Sequence, residues 1–169
     1  MLTLAGCGFL GFDSWNWRQK LTVIVETPEG VISGSSVVRV DVRYQPQIVA
    51  HQGGFYKSAK GEAAFLEIRP GVYLFALLSN EADRAVRTFL PEGKTKNPKE
   101  DFAYLEGLRE KRALSRADYP RLVTFANIED PTTVRLVDSD DLAATFGPGY
   151  RLKSITLEVV DEPITNGAV

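Results

Sequence analysis

The chain has 169 residues, a formal net charge of −2 and a hydrophobic fraction of 44%. That length fits one domain with a real core, and that composition excludes a wholly disordered chain. The balance of 20 basic against 22 acidic residues lacks the basic excess of a nucleic-acid binder, and no apolar run is long enough for a transmembrane helix.

The first feature along the chain is Leu4-Ala5-Gly6-Cys7, which contains the only cysteine. A single cysteine forms no disulfide within its own chain. The tetrapeptide resembles the lipobox that ends the signal peptide of a bacterial lipoprotein, of an uncharacterised proteobacterial type. The resemblance implies cleavage before Cys7 and acylation of its sulfur. Each buried CH₂ of an acyl chain adds about 0.8 kcal/mol to membrane binding, so two or three chains anchor stably. Small residues at 5 and 6 suit a narrow protease cleft. Gly8, where aspartate would retain such a protein at the inner membrane, points to the periplasmic face of the outer membrane.

Six residues precede Cys7, and none is Lys or Arg. A signal peptide has a basic start and an apolar stretch of roughly 7–15 residues. Two readings follow. Either the start lies upstream of Met1, or the lipobox is accidental, Cys7 packs as a small apolar residue and the protein is cytoplasmic. Residues 1–13 are accordingly read as signal remnant and lipid tether, 14–160 as one globular β-rich domain, and 161–169 as a frayed tail.

Residues 14–27 alternate: Trp15, Trp17, Gln19, Leu21, Val23 and Val25 share one parity, and mostly polar residues the other. That is a strand with one buried face. The two tryptophans could form an interfacial belt near lipid, but their continuity with Leu21-Val23-Val25 favours core. Thr27-Pro28-Glu29-Gly30 predicts a turn, and 31–44 a second strand, with Val38, Val40, Val42 and Tyr44 on one side. Gly34 inside it predicts a bulge or bend. Residues 45–61, with Pro46, Gly53, Gly54 and Gly61, read as a loop. Residues 62–78 read as another hairpin turning at Arg69-Pro70-Gly71, with an apolar second arm that should be central.

The period then changes. Asn80 is expected to cap a short helix ending near Leu90, before a polar loop over 91–100. Asn97-Pro98-Lys99-Glu100 is a strong helix start, predicting a surface helix to Arg112 with Phe102, Leu105 and Leu108 inward. Strands follow at 121–125 and 132–137. Asp138 is expected to cap a short helix stopped by Gly147-Pro148, and 150–160 form a last strand with Ile155, Leu157 and Val159 inward. The sum is an α+β, β-rich fold: mainly an antiparallel sheet or sandwich of about seven or eight strands with two or three short inserted helices.

No catalytic signature emerges. His51, the sole histidine, could serve a small hydrolase with Ser35, Ser36, Ser58 or an acid beside it, yet no G-x-S-x-G elbow is present. A lone loop histidine reads as solvated surface. Zinc sites draw mainly on Cys and His, and the chain has one of each. Asp138, Asp140 and Asp141 invite a calcium reading, but their spacing is not that of an EF-hand, and a helix cap accounts for them. There is no phosphate-binding glycine loop. The expectation is therefore a membrane-anchored envelope lipoprotein with a non-catalytic ligand- or partner-binding domain, with lipid attachment at Cys7 and no catalytic, metal or cofactor residues. Its partners would be the membrane and an envelope protein. The alternatives are a hydrolase using His51 and a soluble cytosolic interaction subunit.

Overall fold

The computed structural model describes residues 11–49, 52–90 and 97–167. Cys7 with its lipobox-like tetrapeptide, and His51, lie outside the described residues. Among those described, nine strands and three α-helices follow one another: β1 (Asp13–Thr27), β2 (Gly30–Val49), β3 (Gln52–Lys60), β4 (Ala64–Arg69), β5 (Val72–Ala76), α1 (Glu81–Phe89), α2 (Pro98–Gly107), β6 (Lys111–Ala113), β7 (Leu122–Phe125), β8 (Val134–Val137), α3 (Leu142–Phe146) and β9 (Arg151–Val160). They build a five-stranded sheet, β3-β2-β1-β9-β6, and a four-stranded sheet, β4-β5-β7-β8. Every pairing is antiparallel. The fold is α+β and β-rich, as expected.

The β1–β2 hairpin is the frame. Its pairing runs unbroken from Asp13↔Tyr44 to Thr27↔Gly30, around Pro28-Glu29. The parity legible in the sequence is the one the fold uses: Trp17, Gln19, Leu21, Val23 and Val25 are buried while their neighbours are less so. Trp17 is core, and Trp15 packs partly buried against it. From the other side β9 supplies Ile155, Leu157 and Val159. Full burial of each such side chain stabilises by about 1.5–3 kcal/mol.

Gly34 makes no bulge, because β1–β2 register is continuous through Val23↔Gly34. Its role is proximity between sheets. A Cβ there would lie 1.9 Å from the Phe65 backbone oxygen and 2.8 Å from Leu66 Cβ. The absence of a side chain lets β4 lie directly against β2.

Four other expectations change. Residues 45–61 are not a loop: β2 continues to Val49, and β3 pairs back along it from Arg39↔Lys60 to Val49↔Gln52. Gly53 is there for close approach, since a Cβ would meet Gln47 Cβ at 2.8 Å. The helix starting after Asn97 ends at Gly107, not Arg112. Beyond that glycine, residues 111–113 instead close the sheet edge by pairing with β9. Asn80 stands at the N-cap of α1 in a left-handed conformation (φ 43°, ψ 43°), with no side-chain capping bond. Asp141, not Asp138, caps α3 by accepting from the Ala144 amide at 3.0 Å.

Residues 161–167 are not frayed. The Thr165 amide donates to the Val37 carbonyl at 2.9 Å, the Val37 amide returns a bond to Thr165 Oγ1 at 2.9 Å, and Glu162 pairs with Lys20 at 3.0 Å. The segment is tied to the five-stranded sheet. Ala168 and Val169 lie outside the described residues.

Candidate functional site: an apolar sheet face and its edge

The residues nominated for chemistry are dispersed. Ser36 is buried, its hydroxyl donating to the Glu62 carbonyl at 2.7 Å. Ser35 lies exposed on β2 opposite Thr22, and Ser58 exposed on β3 opposite Asp41. The three acids near 140 do three separate jobs. Asp138 Oδ1 accepts from the Asp140 amide at 2.8 Å, Asp140 pairs with Arg116, and Asp141 caps α3. They do not converge on one point.

A buried polar network does exist, and the sequence announced only one member. Gln19 interrupts an apolar parity, and a buried amide demands partners. Trp17 Nε1 donates to Gln19 Oε1 at 2.8 Å, and Gln19 Nε2 donates to Glu81 Oε2 at 2.9 Å. Glu81 Oε1 accepts from the Ser79 amide at 2.9 Å and from Arg84. Arg84 also donates to the Asp118 carbonyl at 3.0 Å and to Ser79 Oγ at 3.1 Å. Glu81 and Arg84 are both buried.

This network borders a cleft of about 420 Å³ between the segment around Ser79 and that around Asp118. Each guanidinium nitrogen of Arg84 already has a partner, and Arg87 pairs with Asp118. Burial raises the Asp118 pKa, but hydrogen bonds from Arg87 and Ser115, and the charges of Arg87 and Arg84, outweigh it and hold the carboxyl below its usual range. The arrangement is a clamp fastening α1 to its surroundings, with its charges spent internally.

The remaining candidate is the outer face of the four-stranded sheet. Register puts Phe65, Phe75, Val123 and Leu136 in one row across β4, β5, β7 and β8. By strand alternation, Tyr73, Leu77, Phe125 and Val134 share that face, with the exposed charges of Glu67 beside Tyr73 and Arg121 beside Leu77 at its margins. The opposite face, with Leu66, Leu74, Leu122 and Val137, belongs to the core. β1 and β2 pack against the sheet there, with Gly34 of β2 lying close against the Phe65 backbone of β4.

The outer rings form one cluster: Phe65–Phe75 at 5.7 Å, Tyr73–Phe75 at 6.3 Å and Phe75–Phe125 edge-on at 5.5 Å between centroids. Phe75 is buried beneath these neighbours, but the periphery is open. Leu136 is 72% exposed, Val134 48%, Ile128 in the adjoining loop 44% and Leu77 37%. An exposed leucine alone means nothing, but Val134 and Leu136 lie exposed together at the edge of an aromatic cluster, which makes that edge the candidate site.

No family model, no curated protein and no solved structure matches the chain.

Proposed function

We propose that the protein is a non-catalytic binding module of the bacterial cell envelope, held at the membrane by acyl groups on Cys7, which presents the outer face of its four-stranded sheet to a protein partner. The observation that carries the binding role is that face: an aromatic cluster around buried Phe75 whose β8 edge, Val134 and Leu136, is 48% and 72% exposed among the described residues. The lipobox-like Leu4-Ala5-Gly6-Cys7 supports the anchor. A short leash would hold the domain close to the bilayer, since the residues between Cys7 and Asp13 span at most roughly 25 Å.

The test is site-specific photo-crosslinking in cells expressing the chain from its native locus with upstream codons. Benzophenone side chains placed at Tyr73 and at Leu136 should give discrete protein adducts in the membrane fraction. The same probe at Ser35, on the outer side of the five-stranded sheet, should not. Equal adduct patterns at all three positions, or none at Tyr73 and Leu136, would remove the binding reading. Intact mass decides the anchor separately: cleavage before Cys7 with added acyl chains supports it, and an unmodified Met1 with a free thiol excludes it.

A further inference from the structure

The inference rests on the binding reading above and concerns how the partner engages. β8 is the last strand of its sheet, so one of its edges is unpaired among the described residues. Antiparallel ladders alternate between residues that bond across to the neighbouring strand and residues that bond away from it. The Ala126 amide donates to the Thr133 carbonyl at 3.3 Å, which sets the phase of that alternation. Arg135, opposite Thr124, and Val137, opposite Leu122, therefore bond toward β7. Val134 and Leu136 point their backbone groups at the open edge. The Val134 amide is taken by the Pro131 carbonyl. Among the described residues, the Val134 carbonyl and both backbone groups of Leu136 remain for an incoming chain.

The same two residues carry the most exposed apolar side chains of the face. Between them stands Arg135, exposed on the other side of the sheet and with no ion pair among the described residues. Natural edges are usually blunted by a bulge, a proline, a covering element or inward charge. β8 has two such devices, its shortness and the charge of Arg135 on the core side of the sheet, and only a strand that brings a carboxylate beside Arg135 would neutralise the second. β8 alternates an apolar, a cationic and an apolar side chain along an open backbone edge.

We propose that β8 accepts an extended segment of a partner protein as a fifth strand, and that the segment alternates apolar and acidic residues. Its apolar side chains would lie beside Val134 and Leu136 and continue the aromatic face. The residue between them would lie on the side of Arg135, where a carboxylate meets an otherwise unpaired guanidinium. Main-chain bonds supply affinity in such an addition, and alternate side chains supply selectivity.

Size argues against a second copy stacked face to face. Four strands about 4.8 Å apart and about 17 Å long cover roughly 330 Å², whereas a stable dimer buries about 800 Å² per partner. Pairing β8 with β8 of a second copy would set each Arg135 near its twin, and like charges across a ladder destabilise.

The experiment uses the full chain carrying Cys7→Ser, which blocks acylation, and fluorescein-labelled Gly-Val-Asp-Val-Asp-Val-Gly as probe. Anisotropy should rise saturably with protein. The peptide with Lys in place of Asp should bind at least tenfold more weakly, and Arg135→Glu should reverse that preference. Leu136→Pro removes an amide that faces the open edge and leaves the bonds to β7 in place. It should weaken binding at least tenfold while the thermal melt moves little. Should Leu136→Pro unfold the protein, the probe N-methylated on its central residues provides the same test on unaltered protein, and it should not bind.

Equal affinity for the Asp and Lys peptides, or undiminished binding of the N-methylated probe, overturns the proposal. So does sedimentation as a dimer that Leu136→Asp dissociates, or flotation with phosphatidylglycerol vesicles that Leu136→Asp abolishes, because the occupant is then a second copy or lipid. Adducts at Leu136 in cells together with no peptide selectivity would retain the binding face and discard the added strand. Absence of those adducts would discard the face itself.

Discussion

The two sheets of this protein solve the same problem differently on their outward sides. The five-stranded sheet occupies its outer positions with charge pairs and a covering segment: Lys20 with Glu162, Arg39 with Asp41, Arg151 with Glu26, and residues 161–167 bonded to Val37. The four-stranded sheet puts Phe65, Tyr73, Phe75 and Phe125 in the equivalent place and leaves Val134 and Leu136 open. Both inner faces are apolar and share one core. A sheet needs one buried side to be stable, and its other side is normally polar. One domain applies that rule to one sheet and breaks it in the other, so overall composition is not the cause. The exception is local to the four-stranded sheet.

The largest way to break this division lies on the five-stranded side, where buried charge ties α1 to β1 through Gln19. Arg84→Met would leave the Glu81 carboxylate buried without its cation, and the loss of stability expected in urea unfolding is about 3–5 kcal/mol. Next comes the seam between the sheets. Gly34→Ala places a methyl against the Phe65 backbone oxygen, and the cost, read in the same titration, should be about 1–3 kcal/mol. Thr165→Ala removes the hydroxyl that accepts from the Val37 amide. It should cost about 1 kcal/mol and raise hydrogen exchange at Val37 selectively.

Leu136→Lys sharpens the comparison from the other side. An exposed position at the edge of the aromatic face should change the urea midpoint by no more than about 0.5 kcal/mol equivalent, while peptide binding is lost. If instead it destabilises strongly, something in the folded chain covers that face. The smallest effect is electrostatic. Asp118 has a folded-state pKa below its unfolded value. A depressed carboxyl contributes stability that is present above the unfolded pKa and is lost as pH falls through the folded one. Asp118→Asn should therefore be less stable than wild type at neutral pH, and the difference should shrink as pH falls through the acid range below about 4. A difference that stays constant with pH would show that Asp118 acts only through its carbonyl and its packing.

The strands with a single buried face were legible because they repeat every second residue, as in β1 and β9. The Asn97 start of α2 was legible for a related reason, since its cap bond to the Lys99 amide is made within three residues. Over residues 45–61 the glycines and Pro46 argue locally for a loop, yet the segment forms β2 and β3. In the fold Gly53 serves a backbone approach that only the partner strand reveals. Local periodicity runs the helix after Asn97 on to Arg112, because the closure of the sheet by β6 lies outside any local window.

The candidate face was the least visible feature. Its row joins Phe65, Phe75, Val123 and Leu136, residues separated by up to 71 positions, and each of its strands taken alone reads as ordinary core. Exposure is a property of what packs on a strand and not of the strand. Local periodicity by itself determined a β-rich domain, the parity of its longest strands and the start of α2, because those depend on neighbours one to four residues away. Only tertiary structure decided that Glu81 and Arg84 are buried together, that Gly34 is a contact and not a bend, and that the β8 edge of an apolar sheet face is exposed among the described residues. Each of these depends on segments brought together from distant parts of the chain.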